Sequence, residues 1–434
     1  MIAGILEVVI LSVVYYWKWD EYRSIMQYVL FMFRGKAVLI ALYAVITFVV
    51  FKACDSFNFG IIKILDVTVS QCISVVIVNF ITYLQTCLIA NTLITPMPLV
   101  VLTLIDFVIC TLCSYIATRF HRKFCRVDDV LFIYGSGLAL ELKKKVDRAR
   151  ELYMISEVVS SSVEEQVLKE SIDRHKAVFI NDIPAERRND ILKYCFSKGK
   201  AVYLVPKISD IIVKGTENVN SFDIPLLKVR ESISPFEEVV KRGVDLIISM
   251  VLLIVLSPFI FAIAICIKVE DGGSVFYRQK RLTLNDKVFE ILKFRSMVAD
   301  AEKYTGAIVA EKDDPRITKV GRFLRACRLD ELPQLINIFL GDMSFVGPRP
   351  ERPELAADII KDTPEFAFRT KVKGGLTGYA QVYGKYSTSN YDKLRLDLIY
   401  IENYSLLLDL KLLFMTPQIL FRKEASEGVE RKDR

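Results

Sequence analysis

Between Val67 and Ile105 the sequence carries no charged residue. About 20 apolar residues already cross about 30 Å of hydrocarbon, so this stretch holds more than one membrane helix. Asn91, Pro96 and Pro98 interrupt it and mark a loop, leaving helices near 67–92 and 98–118. The uncharged runs Val8–Trp17 and Ala37–Phe51 add helices near 2–18 and 36–53. Residues 1–120 therefore read as a four-helix transmembrane region, and the first apolar run as an anchor rather than a cleaved signal. The first helix is the least regular, because Glu7 interrupts it and Arg23, Arg34 and Lys36 follow. The basic cluster Arg119–Lys123 puts that end in the cytoplasm. Four crossings then leave the basic 18–36 loop outside, against the usual charge bias. Asp106 lies inside the fourth helix at a cost of about 2.5–3.5 kcal/mol, which favours pairing with a neighbouring helix over a lipid-phosphate route.

A chain of 434 residues holds two or three domains, and 52% hydrophobic residues require contact with lipid. The net charge of +7 suits anionic substrates and an anionic membrane face. No basic stripe is interleaved with aromatics, so nucleic acid is not an expected partner. Two histidines, His121 and His175, argue against histidine catalysis and histidine-type zinc sites. Cys110 and Cys113 have C-x-x-C spacing but lie within a membrane helix, where cysteine is a small apolar residue.

Residues 128–228 read as an α/β domain of Rossmann-like type. Val130–Tyr134, Val178–Asn181 and Ala201–Val205 are apolar strands separated by charged, helix-like stretches, which implies a parallel sheet. The turn Gly135–Gly137 has part of a dinucleotide fingerprint. Leu140 stands where a third glycine belongs, so a bound dinucleotide is not expected.

From Leu246 to Ile267 run 22 uncharged residues, enough for a fifth crossing. Lys241 and Arg242 before them, and Lys268, Arg278, Lys280 and Arg281 after them, place both ends on the cytoplasmic side. Ser257-Pro258 at mid-run kinks a helix, and the serine can satisfy the carbonyl that proline frees. A re-entrant helix over 241–269 fits both facts. Beyond it, Tyr391–Arg422 is amphipathic, and two readings stay open: interfacial helices on the membrane, or ordinary core helices.

Arg325–Pro350 carries the densest chemistry. Leu332, Leu335, Ile336, Phe339 and Leu340 recur at helical spacing, and Pro333 fits a first turn, which predicts a helix starting near Asp330 and stopping at Gly341. Asp330 and Glu331 then sit at a helix N-terminus, where the field keeps Asp330 ionised. Arg325, Arg328 and Arg349 around two carboxylates suit phosphate chemistry.

Residues 236–422 resemble the bacterial sugar transferase family of monotopic polyprenyl-phosphate phosphoglycosyltransferases. The resemblance rests on Phe276–Arg281, Lys293–Met297, Asp314–Arg325, Leu329–Leu335, Gly341–Pro350, Gly375–Gly378 and Ala380–Gly384. Gly374 departs from the family's usual proline and lowers the expected rigidity of its loop. Cys327 stands where small hydroxyl residues are common. The resemblance implies a membrane bundle, a Rossmann-like domain and a mostly helical catalytic domain over 236–434 with a re-entrant helix. It also implies transfer of a sugar 1-phosphate from a UDP-sugar to polyprenyl phosphate with release of UMP, at the cytoplasmic face of the bacterial inner membrane. This step opens exopolysaccharide, capsule or O-antigen assembly. Asp330 would be the nucleophile and Glu331 its partner, with Mg2+ held through both. Lys293, Arg295, Arg325 and Arg349 would meet phosphoryl oxygens and uridine, with Gln279 and Gln381 shaping the pocket and Asp314 and Asp397 beside them. Lys241, Arg242, Ser257 and Pro258 would define the membrane dip. The sugar and the oligomeric state stay open, a homodimer among the options. Two other classes compete: a membrane-anchored nucleotide-binding oxidoreductase or sensor built on Gly135–Gly137, and a scaffold that recruits other enzymes.

Overall fold

A computed structural model of the chain describes residues 2–25, 33–60, 64–124, 127–135, 140–147, 153–219, 223–229, 233–298, 314, 316–385 and 388–420. The chain divides into two compact units, Met1–Pro206 and Lys207–Arg434.

The first unit begins with helices α1 (Ile2–Ile25), α2 (Phe33–Ala53), α3 (Ile64–Ala90) and α4 (Met97–Phe124). Their polar side chains turn inward. Gln71 of α3 donates to Glu7 Oε2 at 2.9 Å and accepts from Ser114 of α4. Asn79, two turns on, donates to Asp106 Oδ2 at 3.0 Å and to Thr103 at 2.9 Å. Glu7 and Asp106 are both buried, so the residue that breaks the first apolar run is one that ties α1 to α3. Asp106 is paired across helices. Helices α2, α3, α4 and a later one, α9, are long and apolar enough to cross a membrane.

The same unit continues with β1 (Val127–Tyr134), α5 (Leu140–Asp147), β2 (Tyr153–Ser160), α6 (Glu165–Arg174), β3 (Ala177–Asn181), α7 (Ala185–Ser197) and β4 (Ala201–Leu204). The four strands are parallel in the order β2-β1-β3-β4. That order is flavodoxin-like rather than the 3-2-1-4 order of dinucleotide-binding sheets. Gly135 N–H donates to Asn181 O, and a Cβ on Gly135 would fall 1.9 Å from Asp182 O. Glycine is required there by the close approach of two strand ends. Ser136 and Gly137, the rest of the expected turn, lie outside the described residues.

The second unit contains α8 (Ile208–Lys214), the short pair β5 (Glu217–Val219) and β6 (Leu226–Lys228), and α9 (Pro235–Asp271). After these come the antiparallel hairpin β7 (Phe276–Leu282) and β8 (Val288–Phe294), then α10 (Lys319–Ala326), α11 (Gln334–Leu340), β9 (Ser344–Val346) and α12 (Pro353–Asp362). β10 (Gly375–Thr377) pairs parallel with β9, and α13 (Tyr379–Tyr383), α14 (Asn390–Glu402) and α15 (Leu406–Leu420) close the order. The sequence assigns 208–228 to the α/β domain. Here Ile208 and Ile211 are buried in the second unit's core with Leu394, Leu398 and Tyr400. Burial of their apolar side chains outweighs sequence proximity to β4.

α9 is one continuous helix of 37 residues. Ser234 caps it and shares a reciprocal capping box with Glu237, while left-handed Gly272 ends it. Pro258 deletes the bond to the Ile254 carbonyl, and Ser257 Oγ donates to that carbonyl at 2.8 Å, as the sequence leads one to expect. The helix is anchored at both ends. At the first, Lys241 Nζ donates to Val346 O and Asp409, Asp245 accepts from Phe345 N, and Arg242 donates to Ile338 O and Phe339 O. At the other, Ile263 and Ile267 pack on Phe294 and Leu324, and Glu270 accepts from the first N–H groups of α10. One side of the helix between them is bare, with Ile254 at 67% and Phe261 at 68% exposure.

The sequence uses Lys241 and Arg242 as charges that flank the dip; in the structure both are engaged by the protein. Lys241 is buried in an ion pair, and Arg242 caps the carbonyl end of α11. Tyr391–Leu420 divides into α14, with Leu394, Leu398, Tyr400 and Ile401 buried, and α15, with Leu412 and Met415 buried.

Candidate active site

Asp330 and Glu331 sit in a single 3-10 turn, Leu329–Glu331, that follows Arg328 in the left-handed region at φ 54°. The α-helix begins only at Gln334, because Pro333 has no N–H to give to an α-helical bond. The dyad therefore precedes the helix by a turn instead of lying at its N-terminus. The buried side of α11 also differs from the expected stripe. Gln334, Leu335, Asn337 and Ile338 face inward, while Phe339 and Leu340 are exposed.

Asn337 gives that difference its function. Its Oδ1 accepts from Leu292 N at 2.9 Å and its Nδ2 donates to Glu290 O at 2.8 Å, so it pairs with β8 as another strand would. The next residue of β8 is Lys293, whose Nζ reaches Glu331 Oε1 at 3.4 Å. Arg349 Nη2 donates to the same oxygen at 2.7 Å. Asp330 makes no hydrogen bond or ion pair among the described residues, although Lys293, Arg325 and Arg349 all pull on it electrostatically.

The two carboxyls titrate in opposite directions. Burial raises Asp330, Glu331 raises it further, and the three cations only partly oppose this. Burial alone would raise Glu331 too, but Arg349 and Lys293 outweigh it and hold its carboxyl well below the ordinary range. Burial lowers Lys293, against the pull of Glu331. The sequence assigns secure ionisation to Asp330; the geometry gives it to Glu331, since the cations contact Glu331 and the expected helix field is one turn away.

The backbone around Arg349 is clamped from behind. Arg369 Nη2 donates to Arg349 O at 3.0 Å, and Arg281 Nη1 to Pro350 O at 3.0 Å. Arg369 Nε is held by the buried carboxylate of Asp397 at 2.7 Å, and Arg281 by Gln279 Oε1 and Glu351. Gln279 therefore orients an arginine in this structure. That Arg369 and Arg281 hold this backbone carries no signal in the sequence, because the carbonyls they reach lie 20 and 69 residues away. Gly374 N–H donates to Thr283 Oγ1 at 3.1 Å, a bond that proline cannot make, and Thr283 in turn donates to Asp342 O. A hydrogen bond pins the loop that a proline ring would otherwise stiffen.

Arg295 departs from its expected place. Its guanidinium pairs with Asp271 and packs over Gly273, where a Cβ would collide with it. It closes the end of α9 rather than facing the dyad. Arg325 lies within the field of Asp330, and its Nη1 is buried without a partner among the described residues, a donor left for an anion. Gln381 Nε2 donates to Leu376 O at 3.0 Å and its side chain lines a cavity of about 200 Å³ against Glu331. Asp314 is bound by Arg316 and held down to about 2.

One unpaired carboxylate among cations, beside a second carboxylate fixed in its charged form, is suited to attack on a phosphorus centre and to holding phosphoryl oxygens. No group of three or more His, Cys, Asp or Glu side chains able to hold a metal occurs among the described residues. A magnesium ion fits only if substrate phosphates supply most of its ligands, which is its usual habit, and the unengaged oxygens of Asp330 leave room for that.

Residues 236–423 match the model of the family described as bacterial sugar transferase. Undecaprenyl-phosphate glucose phosphotransferase of Komagataeibacter xylinus is 35% identical over 59% of this chain and 50% of its own. UDP-glucose:undecaprenyl-phosphate glucose-1-phosphate transferase of Escherichia coli (strain K12) is 35% identical over 50% of this chain and 48% of its own. In these two the match spans about half of the relative's length. Exopolysaccharide production protein PSS of Rhizobium leguminosarum bv. phaseoli is 38% identical over 41% of this chain and 93% of its own. That relative is thus covered almost from end to end, and the chain belongs to the bacterial sugar transferase family.

Proposed function

We propose that the chain transfers a sugar 1-phosphate from a UDP-sugar to undecaprenyl phosphate in two displacements. An Asp330 oxygen attacks the phosphorus that bears the sugar, the bond from that phosphorus to the UMP oxygen breaks, and UMP leaves. A phosphate oxygen of the lipid then attacks the same phosphorus. The bond to Asp330 breaks, giving polyprenyl-diphosphate sugar and a free carboxylate. The observation that carries this reading is the unpaired Asp330 carboxylate beside Lys293, Arg325 and Arg349. Its raised pKa makes it a better nucleophile once deprotonated, and Lys293, Arg325 and Arg349 favour that form. Glu331, fixed by Arg349 and Lys293, keeps those cations in place while charge moves. Bound Mg2+ would be held by Asp330 and Glu331 and would offset negative charge among the converging phosphates.

The attachment of both ends of α9 to one body supports a dip into the membrane from the cytoplasmic face. Asn337 joins β8 to α11, and each of those elements also holds an end of α9. A crossing would have to carry half of that body through the bilayer. Cysteines placed just before 241 and just after 281 should both label from the cytoplasm; labelling from opposite sides would refute the dip.

The reaction is tested with UDP-glucose, UDP-galactose and UDP-N-acetylhexosamines. One of them alone should add a sugar-phosphate mass to the intact protein, and undecaprenyl phosphate should then discharge it. Nucleotide-cofactor absorbance without UMP release from any donor would favour the oxidoreductase or sensor reading instead.

A further inference from the structure

The first displacement as proposed makes no use of the cavity beside Glu331. Six of its eleven lining residues are apolar: Leu252, Leu256, Leu332, Leu335, Phe345 and Leu376. Leu252 and Leu256 lie one turn apart on α9, which holds the most apolar stretch of the four candidate spans. Val251, Ile254 and Val255, their neighbours on that helix, are exposed. An apolar surface therefore runs from the bare side of α9 into the cavity. Its far wall is the dyad turn, with Arg328 and Glu331. The contents of the cavity abut the residue adjoining the nucleophile.

The polar atoms in the lining are mostly engaged. Thr416 Oγ1 donates to Leu412 O at 2.6 Å and stands 2.8 Å from Thr377 Oγ1, and Gln381 Nε2 donates to Leu376 O. Gln381 Oε1 alone is buried without a partner. That acceptor suits the uracil N–H, but Arg328 alone in the lining adds a charged donor for the ring's two carbonyls, and it lies beside the dyad turn. The cations that suit the donor's phosphates, Lys293 and Arg349, are not in this lining.

We propose that this cavity seats the isoprenoid segment next to the phosphate of the acceptor lipid. The bilayer end of α9 delivers the chain, and the dyad turn meets its headgroup. This assignment rests on the transfer reaction proposed above. It makes Leu256 and Leu376 determinants of acceptor binding that leave donor chemistry alone.

The test uses full-length protein in detergent with Leu256→Trp and Leu376→Trp, which fill the cavity, and Leu256→Ala, which enlarges it. Adduct formation and UMP release with UDP-sugar alone should stay within about twofold of wild type. The KM for undecaprenyl phosphate should rise tenfold or more in the Trp variants and severalfold in the Ala variant. A photoactivatable diazirine placed on the first isoprene of an isoprenyl phosphate should label wild-type peptides that contain Leu252–Leu256 or Leu376–Gln381. The labelling needs no variant to fold. Unchanged acceptor KM, or labelling confined to other peptides, overturns the assignment. A rise in donor KM with acceptor KM unchanged overturns it in favour of a uridine site. Wild type that forms no adduct and releases no UMP overturns the transfer reading and this assignment together, whereas a working wild type isolates the cavity.

Discussion

Arg369 touches no reacting atom in this geometry, yet its removal should slow the enzyme in a way that stability cannot explain. Its Nε sits 2.7 Å from Asp397 Oδ2, with the two side chains 8% and 1% exposed. Breaking a pair buried to this degree by removing one partner costs about 3–5 kcal/mol, because the other charge stays behind uncompensated. Arg369→Met should therefore lower the unfolding midpoint by about 6–20 °C, at about 2–4 °C per kcal/mol for a unit of roughly 200 residues. The deficit has a definite pH dependence. Burial already raises Asp397, and Arg369 offsets only part of that. Without Arg369 the carboxyl rises further. A carboxyl raised in the folded state weakens folding as pH climbs from its unfolded value, about 3.9, through its folded value. The deficit is therefore largest at high pH and shrinks on acidification.

The double variant Arg369→Met/Asp397→Leu removes both charges and should recover most of the stability, since apolar replacement of a buried pair is often neutral or better. It does not restore the donor to Arg349 O. Thermal unfolding in detergent, read beside UMP release, separates the two roles. The double variant should melt near wild type and remain at least tenfold slower, with the loss in kcat rather than in acceptor KM. A double variant that regains both stability and rate would refute the positioning of Arg349 by Arg369.

Asp330→Asn should fold normally, form no sugar-phosphate adduct and lose turnover by at least 10³-fold; an adduct in the variant would place the nucleophile elsewhere. The rate of UMP release at limiting donor should rise with pH along an acid limb whose midpoint lies above the ordinary aspartate value of 3.8, because burial raises Asp330. A limb at or below that value would remove the buried carboxyl from the chemistry. A fragment beginning at Lys207 should outlast one beginning at 230 in urea by about 3–6 kcal/mol, the worth of burying Ile208 and Ile211 at about 1.5–3 kcal/mol each. Equal midpoints would show that α8 adds nothing to the second unit.

Local rules reach some of this and not the rest. The apolar runs, the carbonyl that Ser257 satisfies beside Pro258 and the parallel strands around Val130 and Val178 are legible because each depends on residues within a turn or a strand of one another. Ser257 donating to Ile254 O is such a case, a contact over three residues. The sequence does not locate the Arg295 guanidinium, because its partner, Asp271, lies across the hairpin and a motif position says nothing of which way a guanidinium folds. Asn337 was missed because it interrupts an apolar helix, where one polar residue reads as noise. Its meaning appears only when β8 lies beside it, with Leu292 N–H and Glu290 C=O both in need of partners.

The charge state of the dyad shows where local reasoning fails for a physical cause. A helix dipole acts over a turn or so, and Pro333 moves the helix start that far from Asp330. What remains is burial, which raises both carboxyls, and the placement of two cations, which rescues only one of them. Lys293 arrives from β8 and Arg349 from the segment after β9, and both end on Glu331 Oε1. A cation that paired with Asp330 directly would hold it ionised, but would also occupy the lone pairs that must attack phosphorus. Pairing the neighbour instead keeps the cations within range of the donor's phosphates and leaves Asp330 open. The division of labour between adjacent residues thus comes from strands that the chain brings together only on folding.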